Sequence, residues 1–303
     1  MSPKNIFLKA RIKLATVYTV IIMGIFFSGF LLNSWLDRIL KENNVDPLMW
    51  ASEAVVVVLV GLSSYYFAKR TLRPIEKSYE SQQKFVADAA HELRTPLTVM
   101  KTGIETTLIS KPSSEDFKTL LSETKEEIND MTNTVNDLLF LVNTNNRAQD
   151  TFQKLALDQL VKRQVSLMSN YATNKNISLK NNAAKQTWIN GNPASLKRLM
   201  VNLLKNAIDY SKPRGSVNIS LQCSKDLIVL RVQDTGIGMS SDDLSHIFER
   251  FYKADKSRTK QSSGAGLGLA IVKEIVDSHK AKIEIDSKLG QGTTVKIIFD
   301  RFS

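Results

Sequence analysis

The sequence predicts a multidomain chain. Two transmembrane helices come first, then an antiparallel helical hairpin that forms a dimeric four-helix bundle with a second copy, and finally an α/β sandwich. Three observations predict it. Two apolar stretches near the N-terminus are bordered by basic clusters; two later stretches repeat apolar residues in alternating steps of three and four; and from about residue 151 short β-like runs alternate with amphipathic helices and glycine-rich turns.

Composition narrows the classes. Of 303 residues 43 % are hydrophobic and 23 % charged, which excludes a disordered or fibrous chain. The single cysteine, Cys223, excludes a disulfide framework, and the count of only three histidines (His91, His246, His279) argues against a multi-histidine metal centre. The net charge of +11 is concentrated in three places: residues 1–13, residues 69–77, and the cluster Lys253, Lys256, Arg258 and Lys260 around Asp255. The first two flank apolar stretches, which is a membrane pattern and no nucleic-acid groove, so no nucleic-acid partner is expected.

The basic arm 1–13 precedes the first span, 14–36. Leu14 to Leu36 holds no charge between Lys13 and Asp37. At about 1.5 Å per residue, a helix of that length crosses a hydrocarbon core roughly 30 Å thick. A short extracytoplasmic loop (37–47) leads to a second span, 48–68, with Glu53 near its outer end and Trp35 and Trp50 near the interfaces. The basic flanks place both termini in the cytoplasm, a multi-pass topology in the plasma membrane lipid bilayer. The loop is too short for a ligand-binding domain, so the stimulus is expected to arrive within or at the bilayer, or through a membrane partner such as a transporter.

A juxtamembrane helical linker, 69–84, feeds the hairpin, 85–145; residues 72–109 read as one long helix. Val86, Ala90, Leu93, Leu97, Met100 and Ile104 form one seam, and Phe117, Leu121, Thr124, Ile128, Met131, Val135, Leu138 and Val142 a second. Lys111-Pro112-Ser113-Ser114 separates them, with Pro to stop one helix and Ser to cap the next. Two such helices cannot bury both seams alone, so a homodimer is expected. His91 follows seam position Ala90 and points to solvent; Glu92 beside it can orient the imidazole or take its proton, and Pro96 is expected to kink the helix.

The segment Phe85-Val-Ala-Asp-Ala-Ala-His91-Glu-Leu-Arg-Thr-Pro-Leu97 resembles the phosphoacceptor box of bacterial membrane-bound sensor histidine kinases of two-component systems. The resemblance implies that His91 is the phosphoacceptor and Glu92 its acid/base neighbour. Thr95 matches the position that helps place a water for dephosphorylating the partner. The linker domain that often follows the membrane in this family has no room between Arg70 and Phe85.

In the C-terminal domain, 151–303, strands are expected at Ile177–Leu179, Ser216–Gln222, Leu227–Val232, Lys282–Ser287 and Thr293–Phe299, and helices at Ala194–Tyr210 and Gly268–Ser278. Four patches can carry chemistry. Asn202 and Asn206, four apart, project neutral amides from one helical face, suited to a Mg²⁺ that already holds phosphate oxygens, although surface residues share that spacing. Asp234-Thr-Gly236-Ile-Gly238 follows an apolar strand, where a carboxylate can accept from an exocyclic amine or simply close a turn. Ser263-Gly264-Ala-Gly266-Leu267-Gly268-Leu269 opens a helix and presents N–H groups as a phosphate cradle does, without the Lys of a Walker loop. Ile247-Phe-Glu-Arg250-Phe251-Tyr252-Lys253 leads into a basic loop that suits a lid.

In this order the patches resemble the nucleotide-binding boxes of the same kinase family's Bergerat-type ATP-binding domain, and Gly290-Gln-Gly292-Thr293-Thr294 matches its final turn. The resemblance implies ATP and Mg²⁺ as cofactors. Asn202 and Asn206 then hold the metal and phosphates, and Asp234 reads the adenine amine beside Gly236, Gly238 and Thr293. Tyr210 packs by the base, Arg250, Phe251 and Lys253 lie near the phosphates, and Gly264, Gly266, Leu267, Gly268 and Leu269 wrap them. His246 is implied to be structural. Asn192 stands where the family usually has Asp, and Asp209 where Lys or Phe is frequent. The implied activity is ATP-dependent autophosphorylation of His91, then transfer to an aspartate of a separate response-regulator receiver domain, together with a phosphatase activity on that regulator. A non-catalytic signalling module and a protein acting mainly as phosphatase are the alternatives.

Overall fold

The structure, a computed structural model, describes residues 3–40, 47–110, 113–147, 152–184, 186–254 and 264–302. The chain divides into two compact units, Met1–Ala87 and Asp88–Ser303, with the division falling inside the second helix.

In the first unit, α1 spans Pro3–Leu40 and α2 begins at Pro47, running to Ile109. Helix α1 overshoots the apolar stretch at both ends because its flanks are rich in Lys, Arg and Leu, good helix formers, and Pro3 suits a first helical position. Among the described residues one window, Ile12–Leu31, is long and apolar enough to cross a membrane, and its Val20, Ile25 and Phe27 are exposed. The second predicted span lies in α2, but the side chains of 47–54, 56 and 57, with Trp50 and Glu53 among them, lie outside the described residues. That span rests on sequence alone. Helix α2 joins into one helix the three stretches that the sequence reads as helical, the second span, the linker and the first arm of the hairpin, and Pro74 and Pro96 both lie inside it.

In the second unit, α2 is followed by α3, Ser114–Arg147. The turn is capped as the sequence indicates: Ser113 Oγ accepts from Asp116 N (3.2 Å), while Asp116 Oδ2 accepts from Ser113 N (2.8 Å). The helices approach closely at Gly103, where an added Cβ would lie 3.1 Å from Leu120 Cδ1. Leu93 and Met100 are half-buried, whereas Leu97, Ile104, Leu121, Ile128, Val135 and Val142 are exposed. The last four repeat every seven residues, so one stripe of the predicted seam is unpartnered within the chain.

The rest is an α/β sandwich. After β1 (Gln153–Ala156) and α4 (Leu157–Asn174) come β2 (Ser178–Ala183), β3 (Trp188–Gly191), α5 (Pro193–Asp209), β4 (Ser216–Cys223) and β5 (Leu227–Asp234). Then follow α6 (Ser241–His246), α7 (Gly268–Ser278), β6 (Lys282–Lys288) and β7 (Gly292–Asp300). The main sheet has the order β2-β4-β5-β7-β6, with β2 and β4 parallel and the other pairs antiparallel; β1 and β3 form a small antiparallel ladder. One face of the sheet is apolar: Val217, Ile219 and Leu221, then Ile228, Leu230 and Val232, then Val295, Ile297 and Phe299 are buried. The core they form includes Leu199, Met200, Leu203 and Leu204 from α5 and Ile271 and Ile275 from α7. This packing fixes α5 and α7, the two helices that carry the asparagine and glycine patches.

Two junctions are tied by single side chains. Asn192, at the position noted as a departure, caps α5 by accepting from Ser195 N at 2.9 Å, a task that Asn and Asp perform equally. His279, at the end of α7, donates from Nδ1 to Ile275 O (2.7 Å) and accepts at Nε2 from Asn192 N (3.1 Å), which fixes its neutral tautomer. Burial pushes the imidazole below its ordinary value, against the carbonyl bond that raises it. Because the folded pKa is below the unfolded value of 6.5, the unfolded chain takes up the proton first as pH falls. The contribution is full above pH 6.5 and shrinks below it. Denaturant unfolding of the sandwich across this range is expected to lose stability on acidification in the wild type, with a flatter profile in His279→Gln.

Candidate active site

A cavity of about 210 Å³ opens between α5, α7 and the ends of β5 and β7. Its floor is Asp234, the last residue of β5 and 9 % exposed. Oδ1 accepts from Gly236 N (2.8 Å) and Thr293 N (3.1 Å). Burial raises the Asp234 pKa, and these two backbone bonds oppose the rise. Glycine is required around it. A Cβ on Gly236 would lie 2.2 Å from Tyr210 O, and one on Gly292 (φ +90°) 2.2 Å from Asp234 O. The backbone therefore closes directly on the carboxylate and aims it into the cavity. Tyr210 caps α5 and lines the same space, its carbonyl accepting from Ile237 N at 3.1 Å.

One wall is made by α5. Asn202 donates from Nδ2 to Arg198 O (3.0 Å), leaving its amide oxygen as an acceptor. The opposite wall is the start of α7, which has no side-chain cap, so Leu267, Gly268 and Leu269 border the cavity where first-turn N–H groups lack intrahelical partners. The walls meet at Gly268: an added Cβ would stand 2.9 Å from Asn202 Oδ1 and 3.7 Å from Asn206 Nδ2. Gly266 (φ +71°) has no room either, since its Cβ would fall 2.8 Å from the Phe251 carbonyl carbon. Gly264 differs, with nothing within 4 Å. The protein's own packing leaves that position open.

The rim comes from the aromatic segment. Phe251 has φ +65° and donates its N–H to Gly266 O at 3.0 Å, so the rim is bolted to the glycine loop. Tyr252 donates to Asp243 Oδ1 (2.9 Å), and Asp243 closes a capping box with Ser240 at the start of α6. His246 pairs with Glu249 at 2.6 Å. Lys253 lines the cavity and reaches α2, its Nζ 3.0 and 3.2 Å from the two oxygens of Glu92. His91, one residue earlier on α2, is exposed. Thr95 Oγ1 donates back to His91 O at 3.3 Å. The basic loop 255–263, with Lys256, Arg258 and Lys260, lies outside the described residues.

The structure thus brings Asn202, Asn206, Tyr210, Asp234, Gly238, Lys253, Gly264 to Leu269 and Thr293 to one cavity. It places Gly236 directly behind Asp234, and Arg250 and Phe251 on the rim segment leading to Lys253. Sequence reasoning missed Asp137, a cavity-lining residue of α3 that is ion-paired with Arg198. It precedes a seam leucine and belongs to no motif, so nothing local marked it. Asp209, the second departure, accepts from Tyr171 (2.6 Å) and from Lys175, tying the last turn of α5 to α4; burial and this carboxylate push the Tyr171 phenol up.

Comparison with known proteins assigns the class. Residues 81–147 match the family described as His Kinase A (phospho-acceptor) domain, and residues 191–302 the Histidine kinase-, DNA gyrase B-, and HSP90-like ATPase. Together they cover more than half of the chain, which belongs to the sensor histidine kinases of two-component systems. Among its relatives, the sensor histidine kinase RppB of Synechocystis is 34 % identical over 260 residues, 84 % of this chain and 57 % of that protein. The sensor protein CiaH of Streptococcus pneumoniae is 30 % identical over 295 residues, 93 % of this chain and 65 % of that protein. The chain therefore spans less than two thirds of their length. Histidine kinase ThkA, solved in complex with the response regulator TrrA, shares the fold at a TM-score of 0.60 and 18 % identity, over 78 % of this chain and 66 % of that one. Acinetobacter baumannii AdeS does so at 0.57 and 21 %, over 70 % of this chain and 98 % of that one.

The glycines give a direct test. Gly266→Ala is expected to lower stability by about 1–3 kcal/mol through its positive φ and backbone clash. Gly264→Ala stays within about 0.5 kcal/mol of wild type. Thermal unfolding of both variants checks the contrast, and any loss of nucleotide affinity in Gly264→Ala then reports a contact with ligand.

Proposed function

We propose that the chain is a membrane-anchored, ATP-dependent protein-histidine kinase that phosphorylates His91 and passes the phosphoryl group to an aspartate of a response-regulator receiver domain. One observation carries the reading: an exposed imidazole stands beside a carboxylate that is joined, through Lys253, to the rim of a glycine-walled cavity floored by Asp234. The free Oδ2 of Asp234 suits an exocyclic amine of adenine, and Tyr210 offers the base a ring. The backbone amides of the Gly264–Leu267 loop and of the first residues of α7, Gly268 and Leu269, suit phosphate oxygens.

The donor set also fits a hard cation. Asn202 and Asn206 offer neutral amide oxygens from one helical face beside that phosphate cradle, and would hold Mg²⁺ there. Bound, the ion supplies positive charge against the phosphates. The chain's own part is positioning. The lone pair of one His91 ring nitrogen attacks the γ-phosphorus; the N–P bond forms as the bond to the β,γ-bridging oxygen breaks and ADP leaves. Glu92 takes the proton from the other ring nitrogen. Thr95, one helical turn on, serves the separate hydrolysis of the partner's aspartyl phosphate by orienting a water that attacks the phosphorus, releasing the carboxylate and inorganic phosphate.

The exposed heptad stripe Leu121, Ile128, Val135 and Val142 supports a homodimeric four-helix bundle. The window Ile12–Leu31 supports anchoring in the bilayer, and the basic flanks support two spans with both termini cytoplasmic. The sensor kinases and sensor proteins among its relatives and the ThkA–TrrA complex support a receiver-domain partner.

The purified chain in detergent, given γ-labelled ATP, is expected to acquire an acid-labile, base-stable label. His91→Gln abolishes it. Label that persists in His91→Gln overturns the assignment.

A further inference from the structure

The Lys253–Glu92 pair joins two groups to which the proposed reaction gives separate tasks, and the structure shows them spending their charge on each other. Both Glu92 oxygens lie within 3.2 Å of Lys253 Nζ, and both side chains are about one-third exposed, so the pair is neither buried nor fully screened. Held in this way, Glu92 has both carboxylate oxygens engaged by the ammonium on the cavity rim.

Lys253 is placed to change partners. Its backbone follows Phe251, whose left-handed φ of +65° and N–H bond to Gly266 O (3.0 Å) fix the segment to the glycine loop. Gly266 meets that segment with no room for a side chain, since an added Cβ would lie 2.8 Å from the Phe251 carbonyl carbon and 2.9 Å from Tyr252 O. From that fixed base a four-carbon stem carries a compact point charge with three donors that can swing between nearby anions. A terminal phosphate seated at Gly264–Gly268 presents more negative charge than one carboxylate. A diphosphate puts none at that end.

Resting on the kinase reading, we propose that Lys253 is a nucleotide-gated positioning residue. It clamps Glu92 while the terminal phosphate site is empty and moves to the γ-phosphate when a triphosphate binds, so that the Glu92 carboxylate is released to face His91 only when the group to be transferred is in place. Lys253 thereby also discriminates triphosphate from diphosphate, and breaking the pair with Glu92 costs part of the triphosphate affinity.

Binding, measured without chemistry, tests this. In the full chain in detergent, affinities are measured by calorimetry for ADP and for an ATP analogue with a non-hydrolysable β,γ-imido bridge. Glu92→Gln is expected to tighten the analogue by about threefold to fivefold, the weight of a partly exposed ion pair, and to leave ADP unchanged. Lys253→Met weakens the analogue without affecting ADP, and Glu92→Gln added to Lys253→Met gives no further gain. Glu92→Ala serves as a second removal of the carboxylate and is expected to act like Glu92→Gln. A Glu92 effect that is equal for both nucleotides, or that persists beside Lys253→Met, overturns the proposal. Loss of the His91 label bears on the kinase reading alone, because these affinities do not depend on transfer.

Discussion

A buried carboxylate held by two backbone N–H groups is the constraint on which the site depends. Asp234 ends β5 inside the apolar core, where its charge is expensive, and Gly236 and Thr293 supply the bonds that make burial tolerable. Those bonds bring the start of β7 and the turn after β5 against one side chain. Such an approach works only where no Cβ intervenes, as at Gly236 and Gly292. What results is a rigid floor from which the second carboxylate oxygen faces the cavity. Change the carboxylate and the glycines lose their reason; change the glycines and the carboxylate cannot be enclosed.

From that floor upward the parts are linked mechanically. The β5–β7 pair carries Asp234 and Thr293, the sheet's apolar face seats α5 and α7, and these helices touch through Gly268 and the Asn202 amide. Gly266 then binds Phe251. On another side, Arg198 of α5 bonds Asn136 O at 2.9 Å, pairs with Asp137 and lies 4.4 Å over the Phe140 ring, while Leu141 is buried in the sandwich core. The base of α3 is thus continuous with the cavity wall through Asp137. Lys253 makes the other connection, to the residue beside His91.

Much of this was legible in the sequence because the signals were long or chemically costly. Heptad seams over tens of residues, a Pro-Ser stop and cap between them, strands alternating over seven or eight residues, and glycines where backbone must meet backbone are each expensive to maintain without a purpose. The illegible parts were short or distant. Strands β1 and β3 have four residues each and pair only with each other, which leaves too few positions for a period to register. Asp137 reaches the cavity through a tertiary contact with Arg198, 61 residues away. The Lys253–Glu92 pair spans 161 residues, and each member had already been read as serving nucleotide or histidine alone. The continuity of α2 is illegible for a different reason: the second span, the linker and the first hairpin arm each read as helical, but nothing local marks that they join, and Pro74 and Pro96 both lie inside the one helix.

The claim at the centre is that Asp234 selects the base. Replacing the exocyclic amine of ADP by the carbonyl of inosine diphosphate sets an acceptor against the buried carboxylate and leaves every phosphate contact unchanged. Equilibrium affinities of the chain for ADP and inosine diphosphate are the most direct measurement. The account predicts that ADP binds at least about tenfold more tightly and that Asp234→Asn erases the preference. Equal affinity of the wild-type chain for the two nucleotides would contradict it.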